Sequence, residues 1–236
     1  MNLRNNNPRE MAYLRSRGAD ISAFMSRVYS WMTLGILLTG LVSYQVGSQP
    51  ELVQQIFANQ IFFWGVVIVQ LGAVLFLSTM INRISTPAAA ITFLMYAALT
   101  GLTLSMIFVV YTQQSITAAF VTTAAGFAGL SAYGYTTKRD LGPIGSFCMM
   151  GLFGLIAIML LSFFIPALAG NSMQILFSVA GLAIFAGLTA YDTQRIKALA
   201  NSGGATGQQA ILGALVLYLD FINLFINLLR LMGDRR

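Results

Sequence analysis

Seven times along this 236-residue chain an apolar run reaches about 20 residues, the length an α-helix needs to cross the hydrocarbon of a bilayer. The runs fall at about 28–47, 60–81, 88–111, 115–135, 144–165, 172–193 and 209–231. A helix in the core of a soluble protein keeps one polar face, and these keep almost none. Only 8% of the residues are charged, against about 25% in a soluble domain, too few to cover a water-facing surface. A backbone inside lipid must satisfy its own hydrogen bonds. The chain is therefore expected to be an all-α integral membrane protein with seven transmembrane helices. It divides into a polar N-terminal arm, 1–27, and one seven-helix domain, 28–236. The arm carries five arginines and no small-residue cleavage site after a short apolar core, so no removable leader is expected.

The residue inventory excludes much chemistry. There is no histidine and a single cysteine, Cys148, inside an apolar run. Intrachain disulfides are impossible, and the usual His/Cys sites for zinc, haem or iron–sulfur clusters cannot be built. Ser-His and Cys-His nucleophile pairs are absent as well. Cys148 reads as a small core residue. No enzyme activity and no tightly bound cofactor are expected.

Lys and Arg set the expected orientation. With the N-terminus inside, ten of the thirteen lie on inner segments: five in the arm, then Arg83, Lys138, Arg139, Arg195 and Lys197. The other three, Arg230, Arg235 and Arg236, sit at the extreme C-terminus. This bias predicts a cytoplasmic N-terminus. The C-terminal cluster opposes it locally, so either the last run emerges outside or it does not fully cross. The basic balance is explained by topology, and no phosphate-binding Gly-x-x-x-x-Gly-Lys loop occurs, so nucleic acid is not an expected partner. Small residues in the fourth run (Ala125, Ala128, Gly129, Ala132) and the third (Gly101, Ser105) predict close helix packing.

Five of the seven acids lie in tails or loops. Asp192 and Asp220 alone fall inside apolar runs, where an ionised aspartate costs about 2.5–3.5 kcal/mol at the centre of a span. On the last run, Gly213, Asp220, Asn223, Asn227 and Arg230 share one narrow stripe at 100° per residue. Such a stripe must face protein or water, which puts this helix at the centre of the bundle. The sixth run carries a shorter stripe, Thr189, Asp192 and Arg195. Counted from the turn between the two helices, Asp192 lies roughly 10 Å deep and Asp220 roughly 16 Å at ~1.5 Å per residue. Two facing carboxylates in a poorly hydrated place cannot both ionise cheaply, so one should hold a proton or the two should share one. Two plainer readings compete: an Asp192–Arg195 ion pair at i+3, and Asp220 as a hydrogen-bond acceptor from the asparagines.

The strings "AYDTQRIK" at 190–197 and "LYLDFINLFINLLR" at 217–230, closing a seven-run chain, resemble the Bax inhibitor 1 family. "KRDL" at 138–141 and "TGLTLS" at 100–105 fit as well, so the resemblance runs from the second span to the C-terminus. It implies six helices surrounding a central C-terminal helix. It also implies a pH-sensitive calcium leak channel in which an intramembrane aspartate pair couples protonation to opening. The matching positions here are Asp192 and Asp220, with Arg83 as the arginine at the cytoplasmic end of the second helix that pairs with the first aspartate in one state. Where some members have an acid in the middle of the second helix, this chain has Gln70, Leu71 and Gly72. The resemblance to bacterial members implies an inner (plasma) membrane location. The expected partners are then the lipid bilayer, calcium and protons, with Asp192 and Asp220 as weak, water-completed calcium ligands.

Two other classes were weighed. Intramembrane aspartyl proteases also use two membrane carboxylates, but they carry Gly-x-Gly-Asp, and Asp220 follows Leu217, Tyr218 and Leu219. The alternative reading is a regulator that binds another membrane protein, such as a membrane-anchored AAA protease, through the polar N-terminal arm.

Overall fold

The computed structural model describes residues 8–162, 164–165 and 170–235, without the side chains of 8–17, 171 and 172. The first seven residues of the proposed N-terminal contact arm, part of the 166–172 turn and Arg236 therefore lie outside the described residues. Among those described, the chain is all helical: α1 (Pro8–Gly47), α2 (Pro50–Ala58), α3 (Gln60–Met80), α4 (Thr86–Leu104), α5 (Ile107–Val110), α6 (Gln113–Thr136), α7 (Gly142–Leu161), α8 (Asn171–Asn201) and α9 (Gly207–Met232). Seven segments are long and apolar enough to cross a membrane: 18–47, 60–80, 86–110, 113–136, 142–161, 173–201 and 207–232.

The ends of these helices follow from local chemistry. A helix leaves its first N–H groups without intrahelical partners, and a short polar side chain just before it can accept from them. Asn59, Ser85, Thr112 and Thr206 do so for Phe62, Ala88, Ser115 and Gln209 at 3.1, 3.4, 3.3 and 3.2 Å. At the start of α7 the Asp140 carboxylate accepts from the Gly142 N–H at 2.9 Å, with Pro143 in the first turn. Between α8 and α9 the chain reverses through Gly203 at φ 90°, a conformation only glycine adopts without cost.

The first helix begins well before the apolar run. Within the segment read as a polar arm, Phe24 and Met25 are fully buried in the main core cluster, because α1 continues inward with one apolar face. The most buried span is α9. It packs chiefly on α1, α4, α6 and α8, whereas α3 packs chiefly on α4 and α7 on α8. The outer faces of α3 and α7 expose Ile61, Ile68, Leu75, Phe147, Met150 and Phe153. An apolar belt of that extent would not stay single in water and suits lipid.

The chain ends on the face opposite the start of α1. There the Thr112 N–H donates to the Asp234 carbonyl at 3.1 Å, and the Asp234 N–H donates to Ser115 Oγ at 2.9 Å. The first residues of α9 touch the α3–α4 turn, through Gln208 to the Ile84 carbonyl and Gln209 to Asn82, and its tail meets the α5–α6 turn, so α9 runs the length of the bundle.

The small residues of the fourth run behave differently from expectation. Ala125, Ala128, Gly129 and Ala132 are all exposed, and a Cβ built at Gly129 meets nothing within 4 Å. The face of α6 that packs carries Thr123, Phe127, Ser131 and Gly134 instead. Spacing alone does not say which face of a nearly uniform helix turns inward. Gly101, by contrast, does mediate a close approach: a Cβ there would lie 2.7 Å from the Thr39 carbonyl.

Candidate functional site

The seam between α8 and α9 holds both membrane aspartates. Its register is set by two glycines: Gly213 on α9 faces Ile196 on α8, and Gly181 on α8 faces the Asn227 side chain on α9. Gly213, Asp220 and Asn227 are seven residues apart, two helical turns, so Asp220 faces α8 as its two neighbours do. On α8, Asp192 lies on the face that carries Ile196 and Gly181. The same register sets Asp220 opposite Leu188 and Thr189, about one turn or ~5 Å along the axis from Asp192. Asp192 is 9% exposed and Asp220 4%.

Asp220 has an unusual environment. Its Oδ2 is completely buried and has no hydrogen-bond partner. Buried polar atoms are nearly always partnered, and an exception calls for an explanation. The stripe asparagines do not supply one. Asn223 donates its amide to the Leu219 carbonyl and Asn227 to the Asn223 carbonyl, each at 2.8 Å, so both serve their own helix. No cation supplies one either, since among the described residues neither aspartate forms an ion pair. Arg195 is exposed and forms no ion pair with Asp192. Arg83 is exposed on the turn after α3. The i+3 pairing and the asparagine-acceptor readings are thus not what the structure forms. No group of three or more His, Cys, Asp or Glu gathers to hold a metal among the described residues.

Polar contacts that sequence patterning left unmarked hold the two sides of this seam. On one side, Thr39 of α1 donates to the Ala97 carbonyl of α4 at 2.8 Å and shares a 2.6 Å hydrogen bond with Tyr218 of α9. The Tyr218 ring meets Phe93 and Tyr96 edge to face, at 5.7 and 5.9 Å. On the other side, Ser131 of α6 bonds Thr193 of α8 at 3.0 Å, and Lys197 donates to the Tyr135 carbonyl at 2.7 Å. Gln194 clamps the α6–α7 turn, accepting from the Leu141 N–H at 2.9 Å and donating to the Arg139 carbonyl at 2.8 Å. Gly134 lets α6 lie directly on the Ala190 carbonyl of α8. In the middle of α3, Gln70 donates to Thr100 Oγ1 at 3.2 Å.

The family described as Inhibitor of apoptosis-promoting Bax1 matches residues 21–236. The chain belongs to the Bax inhibitor 1 family. It is 42% identical to the Inner membrane protein YbhL of Escherichia coli K12 over 234 residues, 97% of this chain and 98% of that protein. It is 41% identical to an uncharacterized protein of Borreliella burgdorferi over 217 residues, covering 90% and 92% of the two chains. An uncharacterized protein of Deinococcus radiodurans is 38% identical over 220 residues, 92% of each. Family membership and seven spanning-length helices agree that this is an integral membrane protein.

Proposed function

We propose that this family member is a pH-sensitive calcium leak channel gated by protonation of Asp192 and Asp220. The observation that carries the reading is the buried, unpartnered Oδ2 of Asp220, turned toward α8 one helical turn from Asp192. A carboxylate kept in such a place is costly unless protonation or movement relieves it. With a proton held on one of the two groups, α8 and α9 stay packed and the path shut. Losing it leaves two like charges across the seam, and the helices part to let water and the ion reach the carboxylates. Arg83 then offers Asp192 a partner in one of the two states. Calcium is cargo here, not a resident ligand. Two carboxylates fall short of the six to eight oxygens the ion takes, so it binds weakly and passes. The lysine and arginine bias supports an N-terminus in the cytoplasm, and the YbhL relative supports the inner membrane as location.

The test is calcium flux into liposomes holding the purified protein, followed against pH for wild type, Asp192→Asn and Asp220→Asn. The expected result is a pH-dependent leak in wild type and a flat profile in both variants. An unchanged pH profile in both would remove the gate from this pair.

A further inference from the structure

A cavity lies on the far half of the bundle, between α1, α5, α6 and α9. Its volume is about 180 Å³. Its walls are aromatic: Phe108, Phe120, Phe221 and Phe225 contribute, with Phe120 edge-on to Phe221 and Phe225 at centroid distances of 5.6 and 6.3 Å. Two threonine hydroxyls in the lining already have acceptors. Thr39 donates to the Ala97 carbonyl and accepts from the Tyr218 hydroxyl, and Thr117 donates to the Gln113 carbonyl. The third, Ser43, is 3% exposed and its Oγ has no partner. A helical serine can return its hydroxyl to the carbonyl four residues back, as Ser30 and Ser178 do here.

We infer that this cavity is a binding site for a small aromatic molecule carrying one hydroxyl or amine, which Ser43 recognises. Size and chemistry both point there. An apolar cavity of about 150 Å³ lined by Leu, Ile and Phe holds one benzene ring. This one is slightly larger and adds a single unpaired hydroxyl, so it has room for one ring with one polar substituent. The aromatic walls offer edge-to-face contacts to that ring. The exposed residues Gly40, Thr117 and Phe120 mark the mouth, between α1 and α6. The ligand therefore enters from the lipid, into which such molecules partition. Occupancy touches Phe221 and Ile222, the residues after Asp220, although the site does not depend on the leak reading.

Binding is measured on purified protein in micelles with 4-fluorophenol as probe, by fluorine NMR, and with fluorotoluene as the counterpart lacking the hydroxyl. Wild type should bind 4-fluorophenol saturably. Ser43→Ala should bind it about threefold to tenfold more weakly, the worth of one hydrogen bond, and bind fluorotoluene unchanged. Gly40→Leu fills the mouth. A Cβ at Gly40 meets nothing within 4 Å and leucine suits a helix, so this variant should fold and lose binding. No saturable binding by wild type, or undiminished binding by Gly40→Leu, overturns the site. Equal loss of both probes in Ser43→Ala overturns the role given to the hydroxyl.

Discussion

Replacing Asp220 with alanine should make the protein more stable, although the residue lies in the proposed gate. The buried Oδ2 has no partner, and leaving such an atom unsatisfied costs about 1–3 kcal/mol on mutational scales. Alanine removes that atom. It also gains ~0.5 kcal/mol of helix propensity over aspartate. Against this stands the small void left by the carboxyl group, ~0.7 kcal/mol at ~24 cal/mol per Å³ for a volume near ~30 Å³. The net expectation is a gain of about 1–3 kcal/mol, which in a chain of this size raises the melting temperature by roughly 3–10 °C. The molecule carries its own reporter. Its single cysteine, Cys148, is 5% exposed, so a thiol-reactive dye labels it only on unfolding. Asp220→Asn keeps the shape and a polar atom at the same place and should stay within about 1 kcal/mol of wild type. A lower melting temperature for Asp220→Ala would mean that the carboxylate has a partner after all, and the argument from the orphaned oxygen would fail. A rise together with loss of pH-dependent leak would mark a residue kept for function at the expense of stability.

Other contacts give further expectations. Gly134→Ala forces α6 off the Ala190 carbonyl and should cost about 1–3 kcal/mol more than Gly129→Ala, which meets nothing; equal melting temperatures would refute the contact. Tyr218→Phe removes one buried hydrogen bond while Thr39 keeps its bond to Ala97, a loss of about 0.5–1.5 kcal/mol in a denaturant titration. Gln194→Leu releases both bonds to the α6–α7 turn, so amide exchange at Leu141 should accelerate while the α9 core stays protected.

Much of the architecture was legible because a bilayer makes unusually plain demands. Span length and the scarcity of charge revealed seven spanning helices. The polar stripe of the last helix turns inward only in part: Gly213 and Asp220 are buried, Asn223 and Asn227 half-buried and Arg230 exposed. The same reasoning failed on α6, where Ala125, Gly129 and Ala132 proved exposed. A helix with little polarity contrast carries no periodic signal to tell its faces apart. The inward start of α1 at Phe24 and Met25 was hidden by the arginines around it, because a helix can wear charge on one side while burying the other. Asp192 and Asp220 stood out by their rarity among apolar residues. Thr39, Ser131 and Tyr218 did not, since hydroxyls are common in spans and only their partners, 58 to 179 residues away, give them meaning.

The distribution of these hydrogen bonds bears on where the bundle can part. Thr39, Ala97 and Tyr218 tie α1, α4 and α9 together, while Ser131, Lys197 and Gln194 tie α6, α7 and α8. Between α8 and α9, the most extensive helix pair, no side-chain hydrogen bond forms among the described residues. Separating those helices locally forfeits apolar contacts but no hydrogen bond, and the two aspartates sit on that line. Among the described residues, one side-chain hydrogen bond between the spans crosses from one group to the other: Tyr29 of α1 to Ser131 of α6, at 2.6 Å. Tyr29→Phe keeps the ring and removes this tie, at a cost of about 0.5–1.5 kcal/mol. On the proposed gating, that weakens the closed arrangement more than the open one, so the leak at a fixed closed-state pH should rise by up to about tenfold. Tyr218→Phe removes a comparable bond within one group and should leave the leak unchanged. If the two variants shift flux equally, the division into two groups is wrong and the helices around the aspartates move as one.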